Sequence, residues 1–144
     1  MEQNHRLALD DGPLFDKPEH YRRLIGKLIY LTVTRPDLSY VVHVLSQFMQ
    51  APHVTLRVYP VLTPRETHFH AVTRVLRYIK MSQGKGVLLF SISDLKLHGY
   101  CDSDWASCPL TRLSVTGYFV MLGHSLVSWR TKKQVIVARS SAEA

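Results

Sequence analysis

Three stretches of the chain place apolar residues at spacings of three and four, the period of an amphipathic α-helix. The first begins at Pro18 and the second at Pro36, and a proline in the first turn is typical of a helix start. The third spans about residues 66 to 81 and is followed by Gly84 and Gly86. The apolar positions are Tyr21, Leu24, Ile25, Leu28 and Ile29, then Leu38, Val41, Val42, Leu45, Phe48 and Met49, and finally Phe69, Val72, Val75, Leu76 and Ile79.

After Gly86 the pattern changes to short β-prone runs separated by turn residues. The turn Gly123-His124-Ser125 separates two of these runs. The predicted strands are 87–90, 95–100, 115–122 and 126–129, with 134–138 as a possible further strand. The sequence therefore predicts an α+β fold, in which N-terminal helices precede an antiparallel meander.

Pattern and composition divide the chain into three parts. Residues 1–17 carry four acidic and few apolar residues, and we interpret them as an irregular lead-in. Residues 18–86 form the helical region and residues 87–144 the sheet region. Within the helical region, residues 51–63 continue neither neighbouring helical pattern and contain two prolines, so we interpret them as a loop or an insertion.

The basic composition points to a polyanionic partner. The formal net charge is +7 and the isoelectric point is near 9.6. Lys and Arg side chains that neutralise phosphates release counterions and bind nucleic acid without regard to sequence. The alternative is that these side chains form the solvated faces of amphipathic helices. The candidate nucleic-acid-binding residues are Arg22, Arg23 and Lys27 on the first predicted helix and Arg74, Arg77 and Lys80 on the third.

Several function classes lack support in the sequence. The apolar runs are far shorter than the roughly 20 residues of a membrane span, and the N-terminus resembles no targeting peptide, so we expect no membrane partner and assign no compartment. Cys101 and Cys108 are expected to be reduced thiols. His68 and His70 lie two apart near a helix start, on different sides of it, and we expect both in solvent. No nucleophile-and-base pair or Gly-rich phosphate loop is present, so no small-molecule substrate is expected.

Asp102 is the candidate catalytic and metal-binding residue. It directly follows the short strand predicted around residues 97–101, a position where metal-dependent nucleases place a carboxylate. The alternative is an acidic residue in solvent at a strand-to-turn junction, which is commonplace on protein surfaces.

The last residues carry the signature of a helix start. Ser140 and Glu143 have the spacing of a capping box, in which the serine hydroxyl and the glutamate each bind a free backbone N–H. A single helical turn is unstable because nucleation is costly. We therefore expect the chain to be cut just inside a helix.

Eight runs of residues occur in an order typical of one family. They include Thr34-Arg35-Pro36-Asp37 and Gly99-Tyr100-Cys101-Asp102-Ser103-Asp104-Trp105-Ala106, and the full set is 21–32, 34–40, 45–50, 74–80, 99–106, 116–118, 128–134 and 140–144. In these runs the chain resembles the Pol polyprotein of copia-type LTR retrotransposons of plants. The resemblance extends across the junction between the end of the reverse transcriptase and the start of ribonuclease H.

The resemblance implies roles for both halves of the chain. The helical region would follow the polymerase palm and help to hold template and primer, and the meander would be the opening strands of a ribonuclease H fold. Asp102 matches the first of the acids that hold two Mg²⁺ ions and activate water against the RNA of an RNA/DNA hybrid. Glu143 matches the capping glutamate rather than the second ligand, which would be residue 145. One carboxylate cannot hold two Mg²⁺ ions, so we expect a truncated fragment that is inactive alone and retains nucleic-acid affinity.

Two alternatives stay open. The residues could belong to a longer active reverse transcriptase and ribonuclease H, with Asp102 as a metal ligand, and a reading frame continuing beyond Ala144 would support this. The chain could instead be a domesticated nucleic-acid-binding module, which predicts salt-dependent binding weakened by charge reversal at Arg74, Arg77 and Lys80. The resemblance implies a cytoplasmic location.

Overall fold

The described residues of the chain fold as a group of helices followed by a three-stranded sheet. The structure is a computed structural model that describes residues 7, 12–49, 63–106, 108 and 112–140. Within these residues the helices are α1 (Pro18–Leu31), α2 (Ser39–Ser46) and α3 (Glu66–Met81), with short 3-10 helices at Pro36–Leu38 and Gln47–Met49. The strands are β1 (Leu97–Ser103), β2 (Val115–Leu122) and β3 (Ser125–Lys133). The predicted α+β class is confirmed.

The core lies among the three helices and is built from one apolar face of each. Burying an aliphatic or aromatic side chain of this size contributes about 1.5–3 kcal/mol. Tyr21 is fully buried, and its hydroxyl donates a hydrogen bond to the carbonyl oxygen of Leu45 at 2.8 Å, which joins α1 to α2. Burial raises the pKa of the Tyr21 phenol, so the donor stays protonated. The core residues are Tyr21, Ile25, Leu28, Leu38, Val42, Val44, Leu45, Phe48, Val72 and Val75.

A buried arginine fixes the turn between α1 and α2. The Arg35 guanidinium binds the Asp37 carboxylate through two hydrogen bonds of 2.9 and 2.7 Å, and it also donates to the carbonyl and hydroxyl oxygens of Ser82 beyond α3. The Tyr78 hydroxyl donates to the same carboxylate at 2.9 Å. Hydrogen bonding from Arg35 holds the pKa of Asp37 below its ordinary value. These contacts tie the α1–α2 turn to the end of α3.

The start of α3 is held by His68 and by residues of the lead-in. The His68 Nδ1 atom accepts a hydrogen bond from the Arg65 backbone N–H at 2.9 Å, so Nε2 carries the proton and donates to the Leu7 carbonyl oxygen at 2.8 Å. The imidazole stacks on Phe48 with 3.8 Å between ring centroids. His68 is 3% exposed, so the prediction that it lies in solvent is wrong. His70 is exposed, as predicted.

The sheet is an antiparallel meander of order β1-β2-β3. Tyr100 lies opposite Phe119, Phe119 lies opposite Trp129, and a bulge between Val120 and Met121 shifts the register of the second hairpin. The β2–β3 turn uses Gly123 with φ of +55°, a conformation that favours glycine because a Cβ would be strained there. The predicted hairpin across this turn is confirmed, and β3 runs four residues beyond its predicted end.

One side of the sheet faces the helices. The Trp129 indole N–H donates to the Thr32 carbonyl oxygen at 2.9 Å, and the Lys133 ammonium donates to the Gln47 side-chain oxygen at 3.0 Å. Because side chains alternate between the two faces of a strand, Tyr100 and Phe119 share this helix-facing side with Trp129.

The helix predictions are confirmed, although the second helix is divided into α2 and two 3-10 turns. The strands predicted at 87–90 and 134–138 are wrong. Phe90 donates its backbone N–H to the Ser125 hydroxyl, and Gln134 donates to the Ser114 carbonyl oxygen, but neither run joins the sheet. Strand-forming composition gives a strand only where a neighbour is available to pair with it.

Three predicted segments fall partly on residues outside the described ranges. Of the predicted insertion at 51–63, all but Thr63 lies outside them. The predicted lead-in at 1–17 is described at residue 7 and from residue 12 onward. Of the predicted capping box, Ser140 lies within the described residues and Glu143 lies outside them.

Candidate functional site

Asp102 lies inside β1 rather than after it, and its partner across the sheet is Gly117. The strand extends to Ser103, two residues beyond the predicted end at residue 101, so Asp102 is the last residue but one of the strand. The carboxylate is exposed and its Oδ1 atom accepts the Ser103 backbone N–H at 2.9 Å. Gly117 places no side chain beside the carboxylate, so it remains accessible from the helix-facing side.

Asp102 lines a cleft of about 520 Å³ between the sheet and the segment that starts α2. Its floor is aromatic, because the Tyr100 and Phe119 rings stack with 4.8 Å between centroids and Trp129 adjoins them. Pro36 and Ser39 form part of the helical wall. An acid beside a mostly apolar cleft could orient a cationic or hydrogen-bond-donating group.

The described residues do not fit a Mg²⁺ site. Mg²⁺ requires octahedral coordination by several oxygen atoms. Asp104, the nearest acid along the chain, uses its Oδ1 atom to accept the Val115 backbone N–H at 2.9 Å, which fixes the start of β2. Within the described part of the chain, no three His, Cys, Asp or Glu side chains lie close enough to share a cation. Asp102 is therefore a single candidate ligand.

The basic residues predicted on α3 project from the surface. Arg74, Arg77 and Lys80 are all exposed. With 100° per residue, Arg77 lies about half a turn from the buried stripe that contains Val72 and Val75. These three side chains, the α3 basic face, are free of the packing between helices and can reach a polyanion.

The three basic residues predicted on α1 separate into two groups. Arg23 and Lys27 are exposed and point away from the core, and we call them the α1 basic face. Arg22 is half-buried; its Nε donates to the Met49 carbonyl oxygen at 3.0 Å and its terminal nitrogen contacts Glu19 at 2.5 Å. The prediction that Arg22 belongs with the phosphate-binding candidates is not supported by this position, because its guanidinium already holds two elements together.

Two polar residues important to the arrangement were not singled out from the sequence. Arg35 forms the turn contacts described above. His43 on α2 lies at the contact with β3, and its Nε2 atom is buried without a hydrogen-bond partner. Burial lowers the pKa of His43, and the nearby Lys133 lowers it further. The sequence feature that could have identified His43 as a partly buried residue is its position within the run of apolar residues from Val41 to Leu45.

The two cysteines are thiols, as expected. Cys101 is exposed on β1, and the Cys108 sulfur accepts a hydrogen bond from Lys133 at 3.1 Å. Among the helices that the structure describes, none has both the length and the apolar character needed to span a bilayer.

Comparisons with known proteins find transposon polyproteins among the relatives of this chain. The chain is 41% identical over all 144 residues to the retrovirus-related Pol polyprotein from transposon RE1 of Arabidopsis thaliana, and it spans 9% of that protein. It is 36% identical over 125 residues to the corresponding polyprotein from transposon TNT 1-94 of Nicotiana tabacum, covering 86% of this chain and 8% of the relative. It is also 42% identical over 124 residues to secreted RxLR effector protein 161 of Plasmopara viticola, covering 85% of this chain and 79% of the relative. No protein-family profile and no solved structure gives a significant match.

Proposed function

We propose that this chain, which belongs to the family of retrotransposon Pol polyproteins, is a non-catalytic piece of reverse transcriptase and ribonuclease H that binds nucleic acid. In this assignment the helices belong to the end of the reverse transcriptase and the meander to the start of ribonuclease H. The chain corresponds to 9% of the length of the Arabidopsis polyproteins, so their whole activity is not ascribed to it.

The observation that carries this proposal is the position of the basic side chains. The α3 basic face and the α1 basic face both point away from the helical core. Core packing needs none of these charges, and the chain as a whole carries +7. Contacts with phosphates release condensed counterions, which supplies affinity for a duplex or an RNA/DNA hybrid irrespective of base sequence.

The same proposal assigns Asp102 to the first acid of a ribonuclease H site. In a complete site, Mg²⁺ would supply the activation of water, and Asp102 would be one of several ligands. The described residues provide Asp102 alone, and Asp104 is engaged with the β2 backbone. We therefore expect this chain to bind a hybrid and leave it intact.

The binding proposal is tested by charge reversal on α3. The variant carries Arg74→Glu, Arg77→Glu and Lys80→Glu, and its affinity for a labelled RNA/DNA hybrid is measured by fluorescence anisotropy. We expect affinity to fall by roughly tenfold or more, and the salt slope to drop by about one unit for each phosphate that is no longer neutralised.

A control variant distinguishes the effect of the α3 basic face on affinity from the effect of a lower net charge. It carries the same charge change at three other exposed lysines, Lys17, Lys96 and Lys132. We expect the control to retain most of the affinity. An equal loss in the two variants, or no loss in the α3 variant, would contradict the assignment of binding to the α3 basic face.

The absence of catalysis is tested separately. The full chain is incubated with an RNA/DNA hybrid and Mg²⁺, and the RNA is resolved on a denaturing gel. We expect no cleavage above that of a sample without protein. Cleavage that Asp102→Asn abolishes and that Asp94→Asn, at another exposed acid, leaves unchanged would show instead that the chain is an active nuclease.

A further inference from the structure

The connection between β1 and β2 brings a cysteine against a lysine at the end of β3. The Cys108 sulfur accepts a hydrogen bond from the Lys133 ammonium at 3.1 Å, although the two residues are 25 positions apart in the sequence. Both side chains are half-buried. A thiolate sulfur is a nucleophile, and a lysine nitrogen becomes one when it loses its proton. The contact therefore joins two groups that can take part in covalent chemistry with each other.

Backbone and side-chain contacts hold both members of this pair in place. The Cys108 carbonyl oxygen accepts the Arg112 N–H at 2.8 Å, which closes the turn that carries the sulfur. Lys133 is the last residue of β3 and lies opposite Val115 on β2. The Lys133 ammonium also donates to the Gln47 side-chain oxygen at 3.0 Å, at the point where the helices meet the sheet. The sulfur and the nitrogen are thus kept in contact by three parts of the fold.

The contact has the features needed to convert a thiol into a bond between sulfur and nitrogen. A positive charge beside a thiol favours the thiolate, which is the form that reacts with oxidants. Oxidation gives a sulfenic acid, whose sulfur condenses with a thiol or with a nitrogen atom. The Lys133 nitrogen already touches the Cys108 sulfur, and the flexible stem of the lysine side chain permits the closer approach that a bond requires.

We propose that Cys108 and Lys133 form a reversible sulfur–nitrogen bond when the protein reacts with hydrogen peroxide. The thiolate attacks one peroxide oxygen, the O–O bond breaks, and Cys108 becomes a sulfenic acid as hydroxide leaves. The hydroxide takes a proton from the Lys133 ammonium and becomes water. The neutral amine then attacks the sulfur, the S–O bond breaks, and a second water leaves with one amine proton. Sulfur loses two electrons, and the peroxide is reduced to two water molecules.

The bond changes the charge at the contact between α2 and β3. A nitrogen bound to sulfur is a weak base, so Lys133 becomes neutral while its remaining N–H can still donate to Gln47. Burial lowers the pKa of His43 on α2, and the charge of Lys133 lowers it further. We therefore expect the pKa of His43 to rise towards its ordinary value of 6.5 when the bond forms.

The bond is tested by mass spectrometry of the full chain. Cys101→Ser leaves Cys108 as the only thiol, so no disulfide can form within the chain. This variant is treated with a stoichiometric amount of hydrogen peroxide and analysed without reductant. We expect the loss of two hydrogen atoms, about 2 Da, and a peptic digest in which the Cys108 peptide is joined to the Lys133 peptide. Dithiothreitol should restore the original mass.

Two lysine variants in the same background provide matched controls. Lys133→Arg retains the positive charge, but its guanidinium stays protonated and cannot attack the sulfur. Lys132→Arg changes the neighbouring exposed lysine, which lies on the opposite face of β3. We expect Lys132→Arg to form the bond as the parent does. In Lys133→Arg the bond should be absent, and the persisting sulfenic acid should react with dimedone.

Several results would overturn the proposal. These are peroxide adding only oxygen atoms to Cys108, a linked peptide that contains a lysine other than Lys133, or equal bond formation in the two lysine variants. Linked peptides heavier by about 14 Da would place an oxygen atom between sulfur and nitrogen and contradict the direct bond.

A titration of His43 by NMR gives a readout that does not depend on mass. An unchanged pKa of His43 after oxidation would show that Lys133 keeps its charge, against the proposal. Neither measurement involves nucleic acid, so the bond stands or fails independently of the proposed function.

Discussion

Arg35 lies where the turn between α1 and α2 meets the end of α3, and its contacts require the shape of a guanidinium. The Nε and Nη2 atoms bind the Asp37 carboxylate, and the Nη1 and Nη2 atoms reach Ser82. A lysine ammonium has the charge but cannot make the paired contacts of this fork. The specific bonding geometry is therefore more important here than charge alone.

We expect Arg35→Lys to lower the free energy of unfolding by about 1–3 kcal/mol, because hydrogen bonds to charged groups are removed at a buried position. Urea denaturation measures the change. Arg23→Lys, at an exposed position on α1, is the control and should change stability by less than about 0.5 kcal/mol. Equal effects of the two substitutions would contradict the role given to Arg35.

His68 shows how a polar residue can belong to an apolar stripe. His68, Val72 and Val75 are spaced by four and three residues, the same period as the rest of the core face of α3. That spacing was visible in the sequence, and the prediction of a solvent-exposed His68 overlooked it. The hydrogen bonds that make burial possible were not visible, because one of them runs to Leu7, 61 residues away.

We expect His68→Phe to destabilise the protein by about 1–3 kcal/mol, because the stacking on Phe48 is retained while the Arg65 N–H and the Leu7 carbonyl lose a partner. Thermal unfolding followed by circular dichroism measures the loss. His70→Phe, at an exposed position, serves as the control. A His68→Phe variant as stable as the parent would show that these hydrogen bonds contribute little.

At the scale of elements, α2 and β3 meet around His43. The imidazole is half-buried with its Nε2 atom buried, and both burial and Lys133 favour its neutral form. In the unfolded chain the group titrates near its ordinary pKa of 6.5, so the unfolded state binds the proton more readily than the folded state. The stability that the neutral His43 side chain contributes is therefore fully present above pH 6.5. It is lost as the pH falls from there through the lower folded-state pKa.

We expect the melting temperature to fall as the pH is lowered from 7.5 to 5, and His43→Leu to reduce that fall. Calorimetry at several pH values measures both. Asp37, whose folded pKa is also lowered, affects stability only at pH values below about 4, so its contribution is separable from that of His43. A His43→Leu variant with an unchanged pH profile would contradict this account.

The helices and the β2–β3 hairpin were predictable because their signals are local. The helical spacing of apolar residues, the prolines at helix starts and the glycine in the hairpin turn each determine structure within a few residues of their own position. The runs at 87–90 and 134–138 have similar composition and form no strand, because pairing depends on a distant neighbour. The contact between Trp129 and Thr32, 97 residues apart, was equally inaccessible from local pattern.

The candidate site was predictable to a similar extent. Helical spacing correctly placed Arg74, Arg77 and Lys80 on an exposed face. It could not separate Arg22 from Arg23, because the difference lies in a tertiary contact with Met49. The metal role of Asp102 depends on ligands brought together in space, and the described residues place no second carboxylate in the required cluster.

At the scale of the whole molecule, an excess of positive charge accompanies a well-packed helical core. The basic faces on α1 and α3 are exposed, whereas the acidic residue assigned to chemistry stands alone on β1. We propose that this combination gives affinity for a polyanion without cleavage. The protein would then bind RNA/DNA hybrids, duplexes and other nucleic acids through the same contacts with their phosphates.

The most direct measurement is the affinity of the full chain for an RNA/DNA hybrid as a function of salt concentration. Five exposed cations on the two basic faces predict that the logarithm of the association constant falls linearly with the logarithm of salt, with a slope of about −3 to −5. The α3 charge-reversal variant should give a shallower slope. Absence of binding at low salt, or binding whose strength does not change with salt, would contradict the account.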